Sequence, residues 1–143
     1  MKNIVLAAVT ALGLGGAAHA QDAPELVTVI ASGDAQTQLM GMVLTMQSMQ
    51  QGADAHVLLC GPGGDLALKD APASATAPQE PRGLSPQGLM QRIMENGATV
   101  EVCAIYLPNR GEGAEVLLDG ITPADPAAMA ARLLTPNARI LSF

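Results

Sequence analysis

Aromatic side chains are nearly missing from this chain: one Phe, one Tyr and no Trp in 143 residues. A core without large rings has to be assembled from Val, Leu, Ile, Ala and Met, and eight Met make it adaptable. Cysteine is scarce too, with only Cys60 and Cys103, which excludes a scaffold held by many disulfides. Basic residues are few. Beyond Lys2 they are Lys69, Arg82, Arg92, Arg110, Arg132 and Arg139, scattered along the chain against 13 acidic residues. Nucleic acids and anionic membranes demand clustered positive charge, so neither is a main partner. Beyond the first twenty residues, no apolar run is long enough to span a bilayer, which takes roughly 20 residues.

What is present begins with an export pattern. Lys2 precedes an apolar, small-residue stretch from Ile4 to Ala18, and Ala18-His19-Ala20 fits a small-x-small cleavage site. Residues 1–20 are expected to be a signal peptide cleaved after Ala20, giving a periplasmic or secreted protein with no membrane insertion. Residues 21–143 then form one domain of net charge −7, with six basic residues against 13 acidic. A domain this long buries roughly two-thirds of its unfolded surface and needs no metal or disulfide to fold.

Strand-like and helix-like segments alternate. "LVTVIA" (26–31), "AHVLLC" (55–60) and "ATVEVCAI" (98–105) are short, apolar and β-branched. Residues 36–51 carry Leu39, Met40, Val43, Leu44, Met46 and Met49 near the helical period, with Gly52 as a stop. "GPGGDLAL" (61–68) is a Gly-rich turn. The segment 70–84 holds Pro72, Pro78 and Pro81 among small residues and reads as a long loop. Ser85 followed by Pro86 caps a helix to Asn96, and Asp125 followed by Pro126 caps another to about Leu134. Around 114–118 the pattern is briefly helical, and 120–122 is at most a short strand. "ARILSF" (138–143) is a closing strand. Such alternation predicts a single-domain α/β fold: an open parallel sheet of about five strands with helices on both faces, flavodoxin- or Rossmann-like.

Cys103 ends the third strand, where ligands bind in open α/β sheets. A thiol there lies near the start of the next helical segment, which favours thiolate. Arg110, seven residues on, is a candidate source of positive charge. The competing expectation is a buried, inert cysteine. Cys60 ends the second strand in the equivalent place and reads as a core residue. In the flavodoxin-like order 2-1-3 the first strand separates these two cysteines by two strand spacings, roughly 9–10 Å. A disulfide needs less than about 7 Å between Cα atoms, so two free thiols are expected.

Other features carry less. "SGDAQTQ" (32–38) lacks both phosphate-loop patterns, so Ser32 or Asp34 is expected to be a helix cap. "GPGG" needs nothing beyond a tight turn. His56 alone builds neither a triad nor a metal site, and Asp119 and Asp125 lack paired spacing. Met42, Met46 and Met49 approach one helix face but are expected as core filler rather than copper ligands. No cofactor or metal is implied.

Taken whole, "VEVCAIYLPNRG" (100–111) resembles the segment that carries the active cysteine in DsrE/DsrF-like proteins, the sulfur-relay group. Cys103-x6-Arg110-Gly111 reproduces the family spacing. "VIASGD", "AHVLLCGPGGDLAL" and "ARLLTPNARILSF" resemble the rest of the pattern. The resemblance implies a parallel α/β domain forming homotrimers or hexamers. It also implies a cysteine, Cys103, that holds persulfide sulfur from a donor and passes it to an acceptor, with Arg110 stabilising its charge. Pro108 departs from the pattern, so the helix after Cys103 is expected to be short or absent. Export separates this chain from cytoplasmic relay partners.

Three readings follow, in order of preference: a sulfur (persulfide) carrier using Cys103; a non-catalytic oligomeric binding or assembly module; and a redox sensor working through a Cys60–Cys103 disulfide. The last requires that the two thiols approach.

Overall fold

A computed structural model describes residues 23–143; the expected signal peptide lies outside the described residues. Five strands run β1 (Glu25–Ile30), β2 (Asp54–Leu59), β3 (Thr99–Val102), β4 (Thr122–Pro123) and β5 (Ala138–Ser142). The helices are α1 (Ala35–Gln50), α2 (Ala73–Thr76), α3 (Pro86–Glu95), α4 (Tyr106–Arg110) and α5 (Pro126–Leu133). The three expected caps all form. Asp34 accepts from the Thr37 N–H at 2.8 Å, Ser85 from Gly88 at 3.2 Å and Asp125 from Ala128 at 2.7 Å. Each satisfies an otherwise orphaned N–H of a first turn. Pro86 and Pro126 follow at the first helical position, where no N–H is needed.

The pairings within the five-stranded sheet are all parallel, in the order β4-β3-β2-β1-β5. The α/β class is as expected, but the strand order is not 2-1-3. β2 lies between β1 and β3, because the chain steps outward along one edge before returning to place β5 beyond β1. Either order gives right-handed crossovers and parallel strands, so alternation alone leaves the order open. Stepping in one direction puts α1 and α3 on the same face, and the return places α5 on the other.

On the first face, Ile30, Val57, Leu59, Val100 and Val102 meet Met42, Met90 and Ile93 in one buried cluster. Met46 and Met49 pack against it, as core-filling methionines should. Within this apolar layer the Thr28 hydroxyl meets that of Thr45 at 2.7 Å, and Thr45 donates to the Gly41 carbonyl. On the opposite face α5 covers only Val27, Ala124 and Met129 fully. The segment expected as a loop over 70–84 is partly ordered by α2 and by an antiparallel bridge from Gln79 to Leu84, and it folds against α3 and α1.

Candidate functional site

The strand order decides the chemistry. With β2 beside β3, Leu59 pairs with Val102, and the next residues on each strand are Cys60 and Cys103. Their backbones are held by the sheet: Cys103 N–H donates to the Leu59 carbonyl at 2.8 Å, and Cys60 N–H to the Ile30 carbonyl at 2.9 Å. The Cα atoms stand 5.1 Å apart and the sulfurs are joined in a disulfide. That separation falls within the usual disulfide range. The expectation of two free thiols is therefore overturned, and with it the assignment of Cys60 to the core. The error came from the inferred strand order, which inserted β1 between the two cysteines.

Both cysteines are half-buried and line a hollow of ≈ 380 Å³ at the C-terminal ends of the strands. Its other walls include Asp65, Tyr106, Asn109 and Arg110. Asp65 comes from the 3-10 turn Gly61–Ala67 that follows Cys60, and the rest from α4. As expected from Pro108, α4 is short, at five residues. Pro108 is its third residue, where the missing N–H costs no helical bond. Gly111 ends it in a left-handed conformation (φ 69°), which explains the glycine of the Arg-Gly pair without invoking a ligand.

Arg110 does line the hollow of Cys103, but its charge is already engaged. Its Nε donates to Glu112 at 2.7 Å, and its NH1 lies 3.3 Å from Asp65. The guanidinium also sits over the Tyr106 ring, 5.4 Å from the centroid. These carboxylates, Glu112 foremost, raise the Arg110 pKa above its ordinary value. Tyr106 donates its hydroxyl to Asp65 at 2.6 Å. Burial, then this hydrogen bond, pushes its pKa well up, so the phenol stays protonated. Asp65, Tyr106 and Arg110 thus form a clamp that fixes α4 against the 3-10 turn beside the disulfide.

Asp65 and Tyr106 were not singled out in the sequence. Tyr106 is the sole tyrosine, three residues past Cys103, yet its partner lies 41 residues away and no local pattern links them. The "GPGG" turn has a related purpose. A side chain at Gly63 would strike the Ile30 carbonyl, and one at Gly64 the Tyr106 ring. These glycines allow close approach rather than cradle an anion.

The remaining candidates lie elsewhere. Asp34 caps α1. Among the described residues no three of His, Cys, Asp or Glu gather as a metal group, and no helix is long and apolar enough to cross a membrane. His56 is buried on the α5 face, with Nε2 2.8 Å from Glu101. Nearby, Arg132 of α5 pairs with Glu25, which also accepts from the Thr135 hydroxyl at 2.9 Å. A larger groove of ≈ 1090 Å³ runs between α1 and α3 and includes Met40, Val43 and Leu84 but neither cysteine.

No family model matches the chain, and no curated protein matches it. Solved structures do. The ychN protein from E. coli aligns with a TM-score of 0.66 at 17% identity, covering 85% of this chain and 99% of that one. A protein of unknown function, MTH1491 from Methanobacterium thermoautotrophicum, gives 0.61 at 14%, covering 84% and 99%. A conserved protein of unknown function, BT1422 from Bacteroides thetaiotaomicron, gives 0.56 at 19%, covering 82% and 94%. At these identities the likeness concerns the fold alone, a single α/β domain with a five-stranded parallel sheet.

Proposed function

We propose that this protein is an exported acceptor and carrier of sulfane sulfur, with Cys103 as the persulfide-forming residue. The observation that carries the proposal is the placement of Cys103 at the strand ends, in a small hollow, in covalent contact with a second cysteine. Once the disulfide is reduced, the Cys103 thiolate attacks the outer sulfur of a persulfide or polysulfide donor. The S–S bond of the donor breaks, the shortened donor leaves with the electron pair, and Cys103 holds the sulfur as Cys–S–SH. No general-base triad or metal is required. Arg110, tied to Asp65 and Glu112, positions α4 around the sulfur rather than supplying a free counter-charge.

The test uses reduced Cys60→Ser protein, so that no second thiol can displace the bound sulfur, treated with sodium tetrasulfide, desalted and mapped by peptide mass. The expected result is one added sulfur on Cys103, absent when Cys103 is also replaced by Ser. A reduced, folded Cys60→Ser protein that takes up no sulfur sinks the proposal. Export is tested separately by the N-terminus of the protein recovered from its native host, with Gln21 as the expected first residue.

The alternative, an oligomeric assembly module of the same fold, is favoured by one observation. Ile140 pairs with Val27 and shares its face, yet is 53% exposed, beside half-buried Val29 and Leu58. Light scattering that reports a trimer or hexamer, together with inert cysteines, favours this reading.

A further inference from the structure

We infer that Cys60 is the resolving thiol of this site, so that sulfur accepted on Cys103 leaves as hydrosulfide. The inference rests on the reading of Cys103 as the sulfur acceptor and names the product of that reaction. Its ground is geometric. Both cysteines follow paired strand residues and both N–H groups are tied into the sheet. Their Cα separation of 5.1 Å is compatible with a bridge. The backbone therefore needs no rearrangement to pass between dithiol and disulfide. A persulfide on Cys103 then places its inner sulfur, Cys103 Sγ, within reach of Cys60. An intramolecular thiol held in that position outcompetes a dissolved one, because its orientation is settled in advance.

The Cys60 thiolate attacks Cys103 Sγ. The bond between Sγ and the outer sulfur breaks, and its electron pair departs with that sulfur as HS−. The Cys60–Cys103 disulfide remains. Two electrons pass from the cysteine pair to the sulfane sulfur, which is reduced to sulfide. An external dithiol, small or protein-borne, restores the pair by exchange and leaves as its own disulfide. The disulfide seen in the structure is the end state of this turnover. Tyr106, kept protonated by burial and by Asp65, adds no competing negative charge beside the departing HS−.

The experiment compares reduced wild-type protein with Cys60→Ser, each given sodium tetrasulfide after removal of reductant. Sulfide is trapped with a bimane reagent, and free thiols and protein mass are followed in parallel. Wild type is expected to lose both thiols and to release about one sulfide per chain more than the variant. Cys60→Ser is expected to keep its sulfur on Cys103 and release it only when a dithiol is added. A wild-type protein that holds a lasting persulfide while Cys60 remains alkylatable overturns the inference and leaves the carrier reading standing. A folded Cys60→Ser protein that takes up no sulfur removes the carrier reading itself. If that variant does not fold, the wild type decides alone, because disulfide formation without the matching sulfide overturns the inference.

Discussion

The two faces of the sheet are built differently. Under α1 and α3 the strands bury a continuous aliphatic layer, in which Ile30, Met42, Leu59, Met90 and Ile93 have no exposure. Under α5 the only buried apolar side chains among the described residues are Val27, Ala124 and Met129, and polar groups fill the remainder: His56 with Glu101, and Glu25 with Arg132. Leu134, just past α5, is 83% exposed. Burial per residue sets hydrophobic stabilisation, so the first face carries most of the fold's stability. The second is specified by hydrogen bonds and ion pairs, which add less net energy but fix geometry. Cys103 packs against the edge of this first cluster, and the N–H groups of both cysteines are tied to neighbouring strands.

The contrast can be tested by loosening each side in turn. The disulfide closes a loop with a sequence separation of 43 that contains α2 and α3, which lie on the first face, and the strand β3. Its reduction should cost about 4 kcal/mol by loop entropy, read as a lower urea midpoint in reductant. A midpoint unchanged by reductant would mean that the loop is already restrained in the unfolded chain. Next, Ile93→Ala removes a side chain with no exposure from the centre of the cluster. The expected loss is about 3 kcal/mol with an unchanged m-value. Leu133→Ala, on the half-covered face, should cost about 1 kcal/mol. Equal losses at these two positions would break the comparison, and a larger loss at Leu133 would show that a second copy covers the α5 face in solution.

Much of the fold was legible because its determinants are local. Asp34, Ser85 with Pro86, and Asp125 with Pro126 announce helix starts within four residues of chain. Apolar β-branched runs announce buried strands. Strand order was not legible, since both candidate orders satisfy the same crossover rule, and the relation between Cys60 and Cys103 depended on it. The carboxylate at Glu101, within the otherwise apolar "ATVEVCAI", was a usable signal. A charge inside a buried strand calls for a partner, and His56 on the neighbouring strand is that partner. Asp65 and Tyr106 left no such mark, because each occupies ordinary loop or helix sequence and their relation exists only in the folded chain.

The smallest effect is a pH dependence confined to the α5 face. His56 is buried, with Nε2 engaged by Glu101 and Nδ1 buried without a hydrogen-bond partner among the described residues. A neutral ring with its proton on Nε2 leaves only an acceptor unpaired, whereas protonation would create an unpaired buried donor, which costs more. Burial, and then the positive charge of Arg132, lower the His56 pKa, while Glu101 and Glu25 oppose the shift. With the folded pKa below the unfolded value of about 6.5, the unfolded chain binds more protons between the two. Stability is therefore full above about pH 6.5 and declines as the pH falls toward the folded pKa. Urea unfolding between pH 7.5 and 5, at roughly half-unit steps, should show this decline in wild type and a flatter profile in His56→Gln, which keeps a donor for Glu101. If wild type instead gains stability relative to the variant as the pH drops, the Glu101 carboxylate outweighs burial, and the pair is ionic in the folded protein.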